Sequence, residues 1–424
     1  MNNKLRSLQI IIIIAISTLV GYYFGVNKVN LSWKNYQPST SVINKEAPAS
    51  VSNVDFSLFW KVWQRLEGKY YDKTKLNPQK MLTGAIEGMT QSLEDPYTIF
   101  LPPVQNNNFK TSLAGQFSGI GAELGMREKQ IIVVAPLVGS PAEKAGLKSG
   151  DAILKVDDNL TINWSLSSAV EKIRGPKGTT VKLTILREEP DRPFEIKIAR
   201  DTITVKSVDG WIKKVKDIEG IKDTKSIKGS EESKIGYIRL SQFGDKTNED
   251  WIALINKLDL ERRKDQSLEG FILDLRNNPG GYLSDAIFVA SEFLRQGTPV
   301  VIEENGQGGR NTLSVSRKGL FYDTKLVILI NKGSASASEI VSGALKDSKR
   351  ARLIGETSFG KGTIQEANDL GNGAGLHVTI AKWLTPNGTW VHGTGLKPDI
   401  EVLPDSKDQS HDAQLEKAVS ELLK

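Results

Sequence analysis

The sequence predicts an α/β protein with several domains behind an apolar N-terminal segment. Its 424 residues allow two to four domains at roughly 100–200 residues each. Hydrophobic residues make up 39% and charged residues 25% of the chain, which is typical of a globular protein and not of a disordered or polytopic membrane protein. From residue 203 onward, short apolar runs alternate with helical spacing, which predicts a mainly parallel sheet covered by helices.

The composition excludes several classes of functional site. The chain has no cysteine, so disulfide scaffolds, thiol nucleophiles and cysteine zinc sites are excluded. The three histidines, His377, His392 and His411, do not have the spacing of metal ligands. A histidine metal site is therefore not expected. The net charge of +6 is mild for this length and does not indicate a nucleic-acid partner.

The N-terminal segment, residues 1–27, indicates an exported protein. Lys4 and Arg6 precede Leu8 to Val26, which carries no charge and as a helix would be about 28 Å long. Such a segment indicates an uncleaved transmembrane anchor or a signal peptide, and a buried helix of a soluble domain is the third, less favoured interpretation. In the first two cases the rest of the chain is predicted to be extracytoplasmic, either membrane-anchored or periplasmic.

Two regions lie between this segment and the first β-rich module. Residues 28–54 are rich in Asn, Ser, Pro and Val without a clear period, which predicts a linker. Residues 55–112 are predicted to be a helical region. The aromatic residues Phe56, Phe59, Trp60 and Trp63 recur at a helical spacing there, and a second helix is expected from about residue 78.

Residues 113–202 are predicted to form a small β-rich domain. Its strands are short and apolar, and a helix begins at Ser140-Pro141 and ends at Gly146. The run Ser118-Gly119-Ile120-Gly121 is a glycine-punctuated loop that enters a strand. Successive backbone N–H groups in such a loop can bind an anion, and the neighbouring strand edge can accept a peptide. Taken alone, the loop also fits a plain hairpin turn.

Residues 203–404 form the predicted α/β core, and residues 405–424 a C-terminal amphipathic helix. Within the core, the buried strand of Lys325–Ile340, KLVILINKGSASASEI, is followed by a small-residue turn and a helix start. Free N–H groups at a helix start suit Ser336 as a nucleophile that attacks a carbonyl. The same residues also read as a capping box, with Ser336 as the N-cap and Glu339 three residues later.

A serine nucleophile needs a base, and the segment GETSFGKGTIQ offers Lys361. A lysine can act as a base when burial lowers its pKa, and Gln365 could hold its amine by a hydrogen bond. The same segment almost matches a phosphate-binding loop, but Gly362 stands where that motif needs Ser or Thr. A third segment, DLRNNPGG, ends at Gly281 and could supply a backbone donor to an oxyanion, or simply connect a strand to a helix.

Together, DLRNNPGG, NKGSASASEI and GETSFGKGTIQ resemble, in order and in residue type, the motifs of the C-terminal processing peptidases, also called tail-specific proteases. DPYTIFLPP and GTGLKPDI also resemble segments of that family. The resemblance implies a serine endopeptidase with Ser336 as nucleophile, Lys361 as general base and Gln365 as its support. It places the oxyanion donors on the N–H groups of Gly281 and Ala337, and it implies a crotonase-like protease core of the ClpP/crotonase type. The chemistry of such a Ser-Lys pair would need no metal and no cofactor.

The β-rich module resembles a PDZ domain inserted before this core. The resemblance implies that Ser118, Gly119, Ile120 and Gly121 bind the C-terminal carboxylate of a protein substrate. Arg174 is predicted either to couple peptide occupancy to the active site or to be a solvated turn residue. Protein substrates with free C-terminal tails, the membrane and a possible homo-oligomer are the expected partners. A thylakoid lumen is the expected location if the source is photosynthetic.

Two other functions compete with proteolysis. A membrane-tethered PDZ adaptor on an inactive scaffold would bind tails without cleaving them. A nucleotide hydrolase would use the glycine-rich loop at Lys361. The intact set of Ser336, Lys361 and Gln365 favours the protease.

Overall fold

The computed structural model divides the chain into two compact units, residues 1–81 and residues 82–424. The residues that it describes are 12–19, 21–22, 29–34, 37–42, 54–127, 130–137, 139–148, 150–164, 166–187, 192–204, 206–222, 232–265, 267–405, 408 and 410–424.

The first unit consists of short elements. Residues 12–19 are helical, and the elements that follow are β1 (Val29–Lys34), β2 (Gln37–Val42), α1 (Ser57–Lys69), a 3₁₀ turn (Lys73–Lys75) and the start of α2 (Pro78–Gln91). The β1 and β2 strands pair antiparallel inside the segment predicted to be a linker. Among the described residues, no helix is long and apolar enough to cross a membrane. The predicted span, Leu8 to Val26, lies only partly within those residues.

In the second unit, the β-rich module is an antiparallel sheet with two short helices. Its strands, in spatial order, are β10 (Phe194–Ala199), β9 (Thr180–Leu186), β7 (Ala152–Val156), β6 (Gln130–Pro136) and β5 (Ala122–Arg127), with β8 (Asn159–Leu160) beside β7. The helices are α4 (Pro141–Lys144) and α5 (Leu166–Ile173). Alternate residues of β9, namely Val181, Leu183 and Ile185, are fully buried, as the period of a strand with one covered face requires.

The central sheet of the core has six strands. They lie in the order β12 (Val208–Lys214), β13 (Lys234–Leu240), β14 (Leu268–Asp274), β17 (Leu326–Ile330), β18 (Arg352–Gly355) and β21 (Ile400–Glu401). Only the β12–β13 pair is antiparallel, so the predicted, mainly parallel sheet is confirmed.

Helices cover both faces of this sheet. The helices α6 (Thr247–Lys264), α7 (Leu283–Ala290) and α8 (Ala337–Asp347) pack on one face, and α9 (Ala413–Leu422) packs on the other. Along β14, Phe271 and Leu273 point into the first apolar cluster, whereas Ile272 points into the second. Burial on both faces explains why this strand is an almost continuous apolar run in the sequence.

A second, antiparallel sheet completes the core. It contains β16 (Arg310–Ser314), β15 (Pro299–Asn305), β20 (Ala374–Leu384) and β19 (Thr363–Gly371), with β3 (Ile99–Leu101) paired to β20. Two strands that bracket the β-rich module in the chain, β4 (Gln116–Gly119) and β11 (Asp201–Thr204), pair antiparallel with each other. The helix α3 (Pro103–Leu113) precedes β4. This second sheet carries Gln365 on β19 and His377 on β20.

Candidate active site

Three of the predicted motifs follow neighbouring parallel strands. The DLRNNPGG turn begins at the end of β14, the serine turn follows β17, and the lysine loop follows β18. Because β14, β17 and β18 are adjacent and parallel, their carboxyl ends lie at the same edge of the sheet. The topology therefore brings together segments that are far apart in the sequence.

The serine turn is fixed against the DLRNNPGG turn by hydrogen bonds. Ser334 Oγ donates to Leu275 O at 2.8 Å, and Ala335 N–H donates to Asn278 O at 3.0 Å. Ser338 Oγ donates to the same Asn278 carbonyl at 2.9 Å. Ser336 lies within this turn and is half-buried. Its φ of 54° and ψ of −115° form a conformation that costs energy for a residue with a side chain.

Glu339 links the serine turn to the lysine loop. Its Oε2 accepts hydrogen bonds from the backbone N–H groups of Ser336 and Lys361, both at 2.9 Å. Its Oε1 accepts from Ser358 Oγ at 2.6 Å and from Gly360 N–H at 2.7 Å. This carboxyl group is completely buried, so the bonds have no water to compete with them. One side chain thus holds the backbones of both predicted catalytic residues within two hydrogen-bond lengths of each other.

The lysine loop is also held by two tryptophans. Trp383 Nε1 donates to Lys361 O at 2.9 Å, and Trp390 Nε1 donates to Gly362 O at 2.9 Å. Gly360 has φ +90°, and a Cβ there would lie 2.8 Å from Gly395 N, so a larger residue would push the loop away.

The pKa of the Lys361 amine is lowered from its ordinary value. Burial is the main cause, and the nearby carboxylates of Asp95 and Glu339 oppose it. The ring centroid of Tyr97 lies 5.0 Å from the amine nitrogen. A buried amine with a lowered pKa is more readily neutral, which is the form that a general base requires.

The predicted oxyanion donors lie beside the serine. A Cβ on Gly280, whose φ is +94°, would be 2.6 Å from Ala335 O and 2.8 Å from Ser336 Cβ. At Gly281, with φ +143°, a Cβ would overlap Phe243 O at 1.6 Å. Within the described part of the chain, neither the Gly281 N–H nor the Ala337 N–H donates to a protein atom. Both donors are therefore free to bind a ligand oxygen.

These residues line one cavity of about 420 Å³. Ser336, Lys361, Gln365, Gly281 and Ala337 all contribute to its wall. The apolar part of the lining includes Ile99, Phe109, Leu113, Leu283, Ile340, Ile364 and Trp383. An apolar cavity that contains a hydroxyl, an amine and free N–H donors is suited to cleaving an acyl compound with an apolar side chain.

The described hydrogen bonds of the Gln365 side chain go to two threonines. Its amide nitrogen donates to Thr363 Oγ1 at 2.9 Å and to Thr379 Oγ1 at 3.0 Å. Among the described hydrogen bonds, none joins this amide to the Lys361 amine. Gln365 therefore lies in the cavity wall with its carbonyl oxygen still available.

His377 also lines the cavity, although no sequence pattern predicts a place for it in the site. The side chain is 9% exposed and contacts the ring of Phe109 edge-on, with centroids 4.5 Å apart. Burial, and then the charge of Lys361, lower the pKa of its imidazole. A histidine on an alternating strand has no local signal that distinguishes the cavity wall from the core. Within the described residues, no group of three His, Asp or Glu side chains could hold a metal ion.

In the β-rich module, the predicted carboxylate loop is split between a strand and a turn. Ser118 and Gly119 pair with Thr202 and Asp201 of β11, while Ile120 and Gly121 form the turn into β5. Ile120 is buried, and Gly121 has φ +74° with Ser140 only 2.5 Å from the position of a Cβ. The β5 strand lies at the edge of its sheet.

Arg174 lies next to this loop and not in the active-site cavity. Its guanidinium is 4.8 Å from the ring centroid of Phe117, and its Cγ lies 3.7 Å from the position of a Cβ on Gly119. The side chain is largely exposed. Arg174 is thus placed beside the loop that was predicted to bind a carboxylate.

Sequence comparison matches three parts of the chain to known families. A model of peptidase family S41 matches residues 234–402, a PDZ domain model matches residues 110–186, and a model of the N-terminal domain of the activating protease CtpB matches residues 14–102. The carboxy-terminal processing protease CtpB of Bacillus subtilis is 34% identical over 385 residues, which are 90% of this chain and 74% of that protein.

Two further similarities cover most of the chain. A carboxy-terminal-processing protease of Bartonella bacilliformis is 39% identical over 346 residues, 81% of this chain and 74% of that protein. Among solved structures, a photosystem II D1 C-terminal processing protease superposes with a TM-score of 0.52 at 29% identity, covering 86% of this chain and 96% of that one.

Proposed function

The chain belongs to peptidase family S41 as a carboxy-terminal processing serine protease with a PDZ domain, and we propose that Ser336 and Lys361 are its catalytic pair. The observation that carries the proposal is the bridge made by Glu339, whose Oε2 binds the backbone N–H groups of both residues. The lowered pKa of Lys361 and the shared cavity support it further.

In the proposed reaction, the neutral Lys361 amine takes the proton of the Ser336 hydroxyl, and the serine oxygen attacks the scissile carbonyl. The protonated lysine then gives its proton to the leaving amine, and an acyl-enzyme remains. Water enters, loses a proton to Lys361 and attacks the ester, which releases the acid and restores the serine. The reaction uses only groups of the chain and water.

The N–H groups of Gly281 and Ala337 are the proposed oxyanion donors. Both are free of protein acceptors within the described residues, and both residues line the same cavity as Ser336. In such a site, backbone N–H donors that are held in place before the reaction need no rearrangement to stabilise the oxyanion. For Gln365, we propose a role in which its carbonyl oxygen accepts a hydrogen bond from protonated Lys361.

The PDZ domain is proposed to recognise the substrate by its free C-terminus. The turn at Ile120 and Gly121 would bind the terminal carboxylate, and the edge strand β5 would pair with the preceding residues of the tail. Ser118 and Gly119 would shape this site from the strand before it. Arg174, stacked on Phe117 beside the turn, is proposed to sense whether the site is occupied.

The remaining proposals concern the fold family, location and assembly. The mainly parallel sheet with helices on both faces is consistent with a crotonase-like core. The uncharged stretch from Leu8 to Val26 supports export, with this stretch as a signal peptide or a membrane anchor. Fractionation of cells that produce the full chain would test the location, and light scattering would test whether it forms a homo-oligomer.

Hydrolysis of a peptide that ends in small apolar residues tests the catalytic pair. We expect Ser336→Ala and Lys361→Ala each to abolish cleavage, since each removes one partner of the proton transfer. Lys332→Ala is a matched control, because Lys332 lies in the same loop as the serine but its side chain is 82% exposed. Cleavage at the wild-type rate by either active-site variant would refute the assignment, and tail binding without cleavage by the wild type would favour the adaptor.

A further inference from the structure

The segment Asp95 to Thr98 belongs to the DPYTIFLPP motif, for which the proposed reaction has no role. It folds as a tight turn around the Asp95 carboxylate. Tyr97 N–H donates to Asp95 Oδ1 at 3.0 Å, and Thr98 Oγ1 donates to Asp95 Oδ2 at 2.7 Å. Thr98 N–H donates to the Asp95 carbonyl at 3.2 Å, and Pro96 restricts the backbone between them. The position of the Tyr97 side chain is therefore set by a rigid turn.

This turn is attached to the wall of the active-site cavity. Thr379 N–H donates to the buried Thr98 Oγ1 at 3.1 Å, and Ile99 of β3 pairs with His377 of β20. Tyr97 itself lines the cavity together with Lys361. The turn thus has a fixed place relative to the strand that lies beside Lys361.

The ring of Tyr97 lies over the Lys361 amine, with 5.0 Å between the nitrogen and the ring centroid. The Tyr97 ring also packs edge-on against His392, with centroids 6.0 Å apart, and His392 stacks on Trp390 with centroids 5.0 Å apart. Trp390 in turn donates to Gly362 O of the lysine loop. The amine is therefore covered by an aromatic ring that is itself supported by its neighbours.

We propose that Tyr97 is a positioning residue for the catalytic base: its ring holds the Lys361 amine in place and excludes water from it. This proposal rests on the proposed function, in which Lys361 is the base. Tyr97 is not itself the base, because burial, together with Glu339 and Asp95, raises the pKa of its phenol and keeps it protonated.

The ring acts on the amine in two opposite ways. Its π-face stabilises the ammonium form, whereas its bulk removes water and so favours the neutral form. The titratable groups that face the amine are Asp95 on the same turn, Glu339 on α8 and His377 on β20. The two carboxylates favour the charged form, yet burial outweighs them. We take exclusion of water as the larger effect of the Tyr97 ring, and the substitutions below test that choice.

Three substitutions at Tyr97 separate the two effects through the pH profile of kcat/KM, whose acid limb reports the base in the free enzyme. Tyr97→Ala admits water, and we expect the inflection of the profile to move up by about one pH unit. The value of kcat/KM should then fall about tenfold at neutral pH and equal the wild-type value at high pH. Tyr97→Leu keeps the cover without the π-face, so the inflection should move down by about half a unit. Tyr97→Phe keeps both, so its inflection should match that of the wild type.

Tyr71→Ala is a matched control, because Tyr71 is 98% exposed, and we expect it to leave the inflection in place. A merely structural role for Tyr97 would lower kcat/KM by the same factor at every pH, and that result would overturn the proposal. An upward move with Tyr97→Leu as large as that with Tyr97→Ala would also overturn it, because the apolar cover would then have no effect.

A second readout does not depend on proteolysis. In a Ser336→Ala background, acetic anhydride acylates the neutral lysine amine, and mass spectrometry of the peptide containing Lys361 gives the pH dependence of labelling. We expect Tyr97→Ala to move that dependence up by about one pH unit. If the pH dependence of labelling moves but Lys361→Ala still cleaves the peptide, the proposed function is wrong, while the inference that Tyr97 covers the amine stands. If labelling does not move, the inference about Tyr97 fails by itself.

Discussion

The two sides of the proposed active site, named here the nucleophile side and the oxyanion side, are each built around a buried carboxyl group, and the surroundings of these groups are opposite. On the nucleophile side, formed by the Ser336 turn and the Lys361 loop, Glu339 accepts four hydrogen bonds of 2.6 to 2.9 Å. On the oxyanion side, formed by residues 279–282 and the start of α7, Asp285 accepts only long bonds, from Asn248 Nδ2 at 3.3 Å and Ser284 Oγ at 3.4 Å. Among the described side chains, its Oδ2 has no partner, and neither has Asn248 Oδ1.

The difference follows from what each side has to position. Ser336 and Lys361 lie on separate loops, so a side chain with several acceptor sites is needed to bind both backbones. The oxyanion turn is set by its own backbone instead, because Phe243 N–H donates to Gly280 O at 3.0 Å and Tyr282 N–H donates to Phe243 O at 3.2 Å. Asp285 is therefore free to be neutral, and a proton on its Oδ2 donated to Asn248 Oδ1 would satisfy both unpaired oxygens.

Replacing Glu339 should have the largest effect, since it removes the bridge. In Glu339→Gln an NH₂ group takes the place of one oxygen and faces N–H donors, which leaves buried donors unpaired. We expect a loss of about 3–5 kcal/mol in the free energy of unfolding and a loss of cleavage. Urea unfolding and peptide hydrolysis measure the two effects.

Glu356→Gln is the control for this prediction. Glu356 is also nearly buried, but its described partner is the exposed side chain of Lys332, at 3.4 Å, and it binds no backbone N–H group of Ser336 or Lys361. We expect its free energy of unfolding to change by about 1 kcal/mol or less. Equal effects of the two substitutions would contradict the bridging role of Glu339.

On the oxyanion side, the prediction tests the backbone conformation of the turn at Gly280. In Gly280→Ala, the added Cβ would press on Ala335 O and Ser336 Cβ, as its distances of 2.6 and 2.8 Å show. Displacing an oxyanion donor typically costs about 10²–10³ in kcat, and we expect a loss of that size with little change in KM. Steady-state kinetics with a tail peptide measure it.

Gly297→Ala is the control that distinguishes the steric contact of the new Cβ at Gly280 from the backbone strain of a positive φ. Gly297 has φ +84° but nothing within 4 Å of an added Cβ. We expect it to lower stability by about 1–2 kcal/mol without changing kcat. If Gly280→Ala behaves in the same way, the oxyanion turn does not depend on its contact with Ser336.

The sequence predicted the parts of the site that local patterns encode. Ser336, Lys361 and Gly281 each follow an apolar strand, and parallel pairing of those strands is enough to bring them together. The sequence predicted only one of the two roles of Glu339. Its spacing from Ser336 predicted a capping box, but its bonds to Ser358, Gly360 and Lys361 come from a loop that only the tertiary fold brings near.

Other features could not be predicted because their cause is not local. His377 has the same alternating neighbours whether its strand faces a cavity or the core. Tyr97 follows a helix end, and its place over Lys361 depends on the pairing of β3 with β20. In the first unit, β1 and β2 pair in a polar segment whose composition indicates a linker, since the pairing uses backbone groups that every residue has.

The last prediction concerns the protonation of Asp285. Burial raises its pKa to about 6, Asp245 adds to the increase, and the bonds from Ser284 and Asn248 oppose it. Because the folded state holds this proton more tightly than the unfolded state does, the stabilising contribution is fully present below about pH 4, is lost between about pH 4 and 6, and stays lost above that. At about 1.4 kcal/mol per pH unit, the loss amounts to roughly 3 kcal/mol.

Asp285→Asn keeps the shape of the protonated acid and cannot ionise, so the difference in unfolding free energy between the variant and the wild type isolates this group. We expect the variant to gain up to about 3 kcal/mol relative to the wild type between pH 4 and pH 7, measured by urea unfolding at each pH. Asp209→Asn is the control, because Asp209 is an exposed carboxyl group on β12 and is not among the groups that shift the pKa of Asp285. A difference that stays constant with pH would mean that Asp285 is ionised in the folded protein, and the two sides of the site would then both be built on buried charges.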